Sequence, residues 1–249
     1  RDLRISCARY GGIVIDLVCA LSCATFEIGS TMIELRNVTK SYKTPKGRVF
    51  VFRDLSLTIP DDKSVALIGR NGAGKSTLMR LLGGQDIPDR GEIITPDSIS
   101  WPVGLSGGFQ GSLTAKENVK FVARVYGAKG DKLREIVDYV RNFAEIGDFF
   151  DRPVNTYSSG MRSRVAFGLS LAFDFDYYLI DEAMSVGDAH FRKKAQQAFK
   201  ERIGKAKVIL VTHGMGQVRQ MCDYVLLLDK GQVKAYDDVE EGIAAYQNA

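Results

Sequence analysis

Eight consecutive residues, Gly69-Arg70-Asn71-Gly72-Ala73-Gly74-Lys75-Ser76, have the types and spacing to hold a polyphosphate. They fit Gly-x-x-x-x-Gly-Lys-Ser. An apolar run before them, Ser64 to Ile68, reads as a buried strand, and Ser76 to Leu82 after them reads as a helix ended by Gly83-Gly84. A triphosphate is densely charged and needs backbone N–H donors that can come close; glycine has no Cβ to bar that approach and tolerates positive φ. Lys75 is expected on the β and γ phosphates, the Ser76 hydroxyl on Mg²⁺, and the helix N-terminus on the phosphate charge. The nucleotide-binding set is therefore Gly69, Arg70, Asn71, Gly72, Ala73, Gly74, Lys75, Ser76 and Thr77. An ordinary glycine-rich turn is the bland alternative, but a chance match in a chain of this composition is on the order of one in a hundred.

Two later groups could complete such a site. Tyr177 to Ile180 is an apolar strand ending in Asp181-Glu182. Carboxylates at the C-terminal edge of a parallel sheet stand where open α/β folds bind ligands. Asp181 is expected to hold Mg²⁺ directly or through water, and Glu182 to polarise the attacking water. A second apolar strand, Val208 to Val211, leads through Thr212 into His213, which can hydrogen-bond a γ phosphate or that water. Alone, the acids would pass for a solvated turn and His213 for a structural residue. Their order behind the phosphate loop is what gives them weight. His190, the only other histidine, has no such context.

These groups need a sheet to hold them. Ile33 to Val38 and Val49 to Ile59 alternate apolar and polar, as antiparallel strands at one edge. Thr114 to Tyr126, Lys132 to Phe150 and Met161 to Phe173 show helical spacing, and Tyr224 to Leu228 with Val233 to Tyr236 reads as a hairpin turning at Lys230-Gly231. Strands alternating with helices predict an α/β fold. The expected architecture is a phosphate-loop NTPase core with a mixed, largely parallel sheet, an N-terminal antiparallel β edge, and a helical subdomain inserted near 104–160.

The length of 249 residues suits one domain, and 45% hydrophobic residues can fill its core. A charge of +4, from 34 basic and 30 acidic residues, is too balanced for nucleic acid as the main partner. Three of the four cysteines (Cys7, Cys19, Cys23) precede Met32 and no Cys-x-x-Cys occurs, which argues against a zinc site or disulfide framework and for a reducing setting. Gly11 to Phe26 is apolar but short for a membrane span and carries Asp16. Residues 1–31 are therefore expected to be non-native or disordered, with a single domain over 32–249 starting at Met32; a short amphipathic anchor is the alternative.

The order of phosphate loop, helical insert, Ser-Ser-Gly before a helix, apolar-Asp-Glu and strand-His resembles the ATPases of ABC transporters, from Met32 onward. Two stretches compete for that family's signature motif. Leu105-Ser106-Gly107-Gly108-Phe109 looks closer in letters, but Ser158-Ser159-Gly160 stands directly before a helical run and 23 residues before Asp181. A signature must cap a helix whose N–H groups face a γ phosphate, so Ser158, Ser159 and Gly160 are chosen. The resemblance further implies that Gln110 links Mg²⁺ and the water to the helical insert, that Tyr42 stacks on adenine, and that Asp188, after Ser185-Val186-Gly187, crosses to another copy.

It also implies a head-to-tail dimer of this chain, with two ATP molecules sandwiched between copies, docked on an integral membrane permease. Ser41 to Arg48, Ile99 to Val103, Phe109 to Leu113 and Tyr157 to Arg164 look most like the ATPase subunits of bacterial capsular polysaccharide exporters of the polysialic-acid type. That likeness implies a peripheral position on the cytoplasmic face of the inner membrane, other polysaccharide export components nearby, ATP and Mg²⁺ as ligands, and no nucleic acid. The 36 residues after His213 leave no space there for an appended carbohydrate-binding domain, so glycan selection is expected in the permease. Export of another substrate, such as O-antigen or teichoic acid, and a P-loop kinase are the competing readings.

Overall fold

A computed structural model describes residues 32–104, 108–181, 188–204 and 206–248. In chain order its elements are β1 (Met32–Thr44), β2 (Gly47–Pro60), β3 (Val65–Gly69), α1 (Lys75–Leu82), β4 (Arg90–Ile94), α2 (Ala115–Val125), α3 (Gly130–Ala144), α4 (Ser159–Leu171), β5 (Tyr177–Asp181), α5 (Ala189–Ile203), β6 (Lys207–Val211), α6 (Met215–Met221), β7 (Tyr224–Asp229), β8 (Gln232–Tyr236) and α7 (Val239–Gln247). Two short 3-10 turns, Gly147–Asp151 and Val154–Thr156, join α3 to α4.

The strands form two sheets. One is antiparallel, in the order β2-β1-β4; the other runs β5-β6-β3-β7-β8. In the second, β5, β6, β3 and β7 are parallel and β8 returns antiparallel along β7. The parallel strands are buried on both faces, and this is why they read as unbroken apolar runs. The half-buried pair β1–β2 alternates instead. The expected mixed sheet, antiparallel edge and inserted helices are all present.

Each layer has its own core. Val38, Phe52 and Leu78 pack with β3 between the two sheets; Phe167, Phe191 and Phe199 cover the opposite face of the parallel sheet. The inserted helices close around Val119, Val140 and Phe150. Helix α4 belongs to two of these cores: Val165 and Leu169 enter the helical one, Phe167 and Leu171 the sheet one. A helix buried on opposite sides loses its single apolar stripe, and every residue from Val165 to Leu171 is buried.

One boundary differs from expectation. The helix predicted over Lys132 to Phe150 stops at Ala144, where Glu145 turns left-handed (φ 50°), and a 3-10 turn follows. Phe150 is still fully buried, so its apolar signal continues the helical pattern after the helix has ended.

Candidate nucleotide-binding site

The site grows from a turn that only glycine permits. Gly74 caps the N-terminus of α1 at φ 107°, and a Cβ there would lie 2.8 Å from the Phe52 ring and 2.9 Å from Val51. Gly69 sits at φ 150°, where a Cβ would overlap the Leu228 carbonyl of the neighbouring strand. Helices α2, α4, α5 and α7 take side-chain caps from Thr114, Ser158, Asp188 and Asp238. Helix α1 has no side-chain cap and no acid in its first turn. Its first N–H groups and the positive end of its dipole are thus left for an external anion.

A cleft of about 310 Å³ lies on this turn, lined by Val51, Asn71, Gly72, Gly74, Lys75, Ser76, Thr77, Asp181, Val211 and His213. Lys75 is only 8% exposed, and its ammonium donates to the Gly69 carbonyl (2.6 Å) and the Arg70 carbonyl (3.1 Å). Gly69 and Arg70 thus hold Lys75 without lining the cleft, and Ala73 is buried in the core. Asp181 closes β5 in register with Val211 of β6, so the carboxylate stands at the C-terminal edge of the parallel sheet. His213 follows β6 through buried Thr212, whose hydroxyl donates to Gln217 (2.8 Å) and accepts from the Gly214 N–H (3.0 Å). The phosphate loop, Asp181 and His213, read from three separate stretches, meet in one cleft. Glu182 lies outside the described residues.

Val51 was not legible as a site residue. It is the extra residue of a β-bulge: Ser41 pairs with Phe50 and Lys40 with Phe52, leaving Val51 between them. The bulge turns Val51 and Phe52 together onto Gly74. Tyr42 pairs with Val49, two residues before Val51, and Lys40 with Phe52, so Tyr42 and Lys40 share the sheet face that meets the phosphate loop. Tyr42 does not itself line the 310 Å³ cleft. Its hydroxyl donates to Asp86 (2.7 Å).

Gln110 is not brought to this cleft. It is exposed in the turn before α2, where its backbone N–H donates to Asn118 (2.8 Å) and its side-chain amide reaches Ser112 (3.4 Å). Upstream of it, Ile99–Val103 runs along β5, with Ser100 N–H on the Tyr177 carbonyl and Val103 N–H on the Leu179 carbonyl.

A second cleft, about 670 Å³, is lined by Glu145, Ile146, Ser158, Ser159, Gly160, Met161, Ser163, Arg164 and Asp188. Ser158 caps α4 by accepting the Met161 N–H (3.2 Å), the role for which it was chosen over the 105–109 stretch. In that stretch, 105–107 lie outside the described residues, and Gly108 and Phe109 line a small cavity with Trp101. Asp188, expected to cross to another copy, has both its oxygens engaged within this chain. One accepts the Phe191 N–H (2.9 Å) as the α5 cap and the other accepts from Arg164 (2.5 Å). The Phe191 hydrogen bond and the Arg164 charge hold its carboxyl below the ordinary value against desolvation. Arg164 and Glu145, the latter tied to Lys194 (2.6 Å), were not singled out as cleft residues.

Comparison with known proteins identifies the family. The family described as ABC transporter matches residues 52–185. Two polysialic acid transport ATP-binding proteins KpsT of Escherichia coli are 55% and 57% identical over 217 residues, covering 87% of this chain and 96% and 99% of theirs. The capsule polysaccharide export ATP-binding protein CtrD of Neisseria meningitidis serogroup B is 40% identical, covering 87% of this chain and 99% of its own. Among solved structures, the dimeric post-hydrolysis state of the ATP-binding cassette MJ0796 bound to ADP and Pi superposes with a TM-score of 0.64 at 25% identity, covering 82% of this chain and 98% of that one. The chain belongs to the ABC transporter family, as an ATP-hydrolysing subunit.

Proposed function

We propose that this chain powers export of a capsular polysaccharide from the cytoplasmic face of a bacterial inner membrane, working as a head-to-tail dimer on an integral membrane permease. One observation carries the ATPase half: Lys75, Ser76, Asp181 and His213 converge on the cleft at the α1 N-terminus. The names and extent of the capsule-export relatives support the transport half. Among the described residues no helix is long and apolar enough to cross a membrane.

The residues present suit ATP with Mg²⁺. An uncapped helix end and a buried lysine suit a polyanion. The Ser76 hydroxyl and Asp181 carboxylate line the same cleft, and among the described residues no cluster of three or more His, Cys, Asp or Glu could hold a metal alone. Two oxygen donors completed by phosphate and water are a donor set for Mg²⁺. When bound, Mg²⁺ would neutralise charge on the phosphates. Lys75 and the α1 N–H groups would orient them, and Glu182, next after Asp181, would hold the attacking water. His213 would donate to the γ phosphate or exchange a hydrogen bond with that water. Ser158, Ser159 and Gly160, at the uncovered end of α4, would meet the γ phosphate held by the other copy. Asp188 would serve that contact by holding Arg164 and the start of α5.

The test is reconstitution with the permease in vesicles whose ATPase face points outward, with glycan and ATP supplied on that outer side. ATP-dependent glycan movement is expected, and Lys75→Ala should abolish it together with ATP binding. ATP turnover indifferent to the permease, with phosphate appearing on a small acceptor, would make the chain a kinase instead.

A further inference from the structure

An ion pair between buried Lys40 and half-buried Asp86, outside both clefts, has no part in the mechanism above. Lys40 is 6% exposed, and its ammonium donates to Asp86 Oδ1 (2.5 Å) and to the Ile87 carbonyl (2.8 Å). The other oxygen of Asp86 accepts from the Tyr42 hydroxyl (2.7 Å). The Lys40 ammonium also lies over the Tyr42 ring, 5.2 Å from its centroid. Asp86 itself is fastened to the phosphate-binding helix: its N–H and that of Gln85 donate to the Arg80 carbonyl in the last turn of α1 (3.2 and 2.9 Å).

We propose that Asp86, supported by Lys40, is a positioning residue that fixes the Tyr42 ring for the nucleobase and ties its place to α1. The proposal rests on the reading of Tyr42 as the adenine-stacking residue. A phenol ring on a strand edge is free to rotate about two torsions, and a base stacks well on it only when the ring is held in one plane. The hydroxyl–carboxylate bond fixes the far end of the ring, and the ammonium occupies one of its faces. The opposite face is then the one presented to a flat ligand. Because Tyr42 and Lys40 share the sheet face that Val51 and Phe52 turn onto Gly74, that ring stands on the phosphate side of the sheet. The Asp86 carboxyl is pushed up by burial, but hydrogen bonds from Lys40 and Tyr42 and the Lys40 charge outweigh this and keep it ionised. An ionised acceptor makes the tether to the phenol stronger than a neutral one would.

The test compares Tyr42→Phe, which keeps the ring and removes only the tether, with Asp86→Asn and Tyr42→Ala. Inorganic tripolyphosphate serves as a competitor that has phosphates and no base. Tyr42→Phe should raise KM for ATP about threefold to tenfold, the effect of one lost hydrogen bond, with a smaller change in kcat. Asp86→Asn should raise KM in the same direction, and tripolyphosphate should inhibit all three variants as well as it inhibits the parent. Loss of tripolyphosphate inhibition in parallel with KM would mean general damage to α1 and would overturn the proposal. Unchanged KM in Tyr42→Phe and Asp86→Asn, with a raised KM in Tyr42→Ala, would overturn the tether and leave stacking standing. Unchanged KM in Tyr42→Ala would remove the stacking role and the proposal together.

Discussion

Lys75 and Cys222 are both buried ionisable side chains, and their surroundings treat them differently. Two carbonyls meet the Lys75 ammonium. Cys222 packs in the apolar layer with Val218 and Val225, and burial, helped by the Asp223 charge, pushes its thiol up to about 12. The folded state therefore keeps this proton at pH values where the unfolded thiol loses it. With a raised folded pKa, the thiol's contribution to stability is complete below the unfolded value and lost as pH rises beyond it, by up to about 1.4 kcal/mol per pH unit. Denaturant titrations between pH 8 and 10 should show a shallower decline for Cys222→Ala than for the parent. The Cys222 peptide should alkylate slowly until urea is added; equal labelling in both states would contradict the burial. At this scale the chemistry was legible wherever it depended on contiguous residues, as in Gly69 to Ser76. It was not legible for Arg164 or Val51, because a salt bridge across 24 positions and a bulge leave no local pattern.

Caps and breaks decide how the elements present their ends. Ser158 is a helix cap whose removal in Ser158→Ala should cost about 1 kcal/mol of stability, read as a shift in the denaturation midpoint. Ser158→Arg should leave ATP binding intact, since the phosphate loop lies in the other cleft, while turnover collapses. Full turnover would mean that α4 does not face a nucleotide. Ser158 was legible because it stands directly before a helical run, which apolar spacing reveals. The end of α3 could not be found that way. Glu145 stops the helix by a backbone conformation, while the buried side chains continue the same period. Gln110, a residue of suitable type near the expected place, is held by the turn before α2, its backbone N–H on Asn118 and its side-chain amide on Ser112.

For the whole molecule, the two clefts lie on different structural units, the phosphate loop on the sheet and Ser158 at the edge of the helical insert, and neither cleft contains residues of the other. A second copy placed head to tail would bring one of each together twice. Glu182→Gln, which keeps the shape and removes the base, should accumulate an ATP-bound dimer visible by size-exclusion chromatography with light scattering. A monomer at saturating ATP, with hydrolysis unchanged, would oppose both the dimer and the role of Glu182. From the sequence alone came the phosphate loop, the α/β order, the helical insert and the resemblance to ABC ATPases, because each rests on short-range periodicity or on consecutive residues that fold as one turn. Tertiary structure alone decided that Asp181 and His213 share a cleft with Lys75, that Val51 joins them, that Gln110 does not, and that Asp86 and Lys40 hold Tyr42. Those facts depend on strand register, on a bulge, on the turn that holds Gln110 and on contacts between residues distant in the chain, which side-chain type and spacing do not encode.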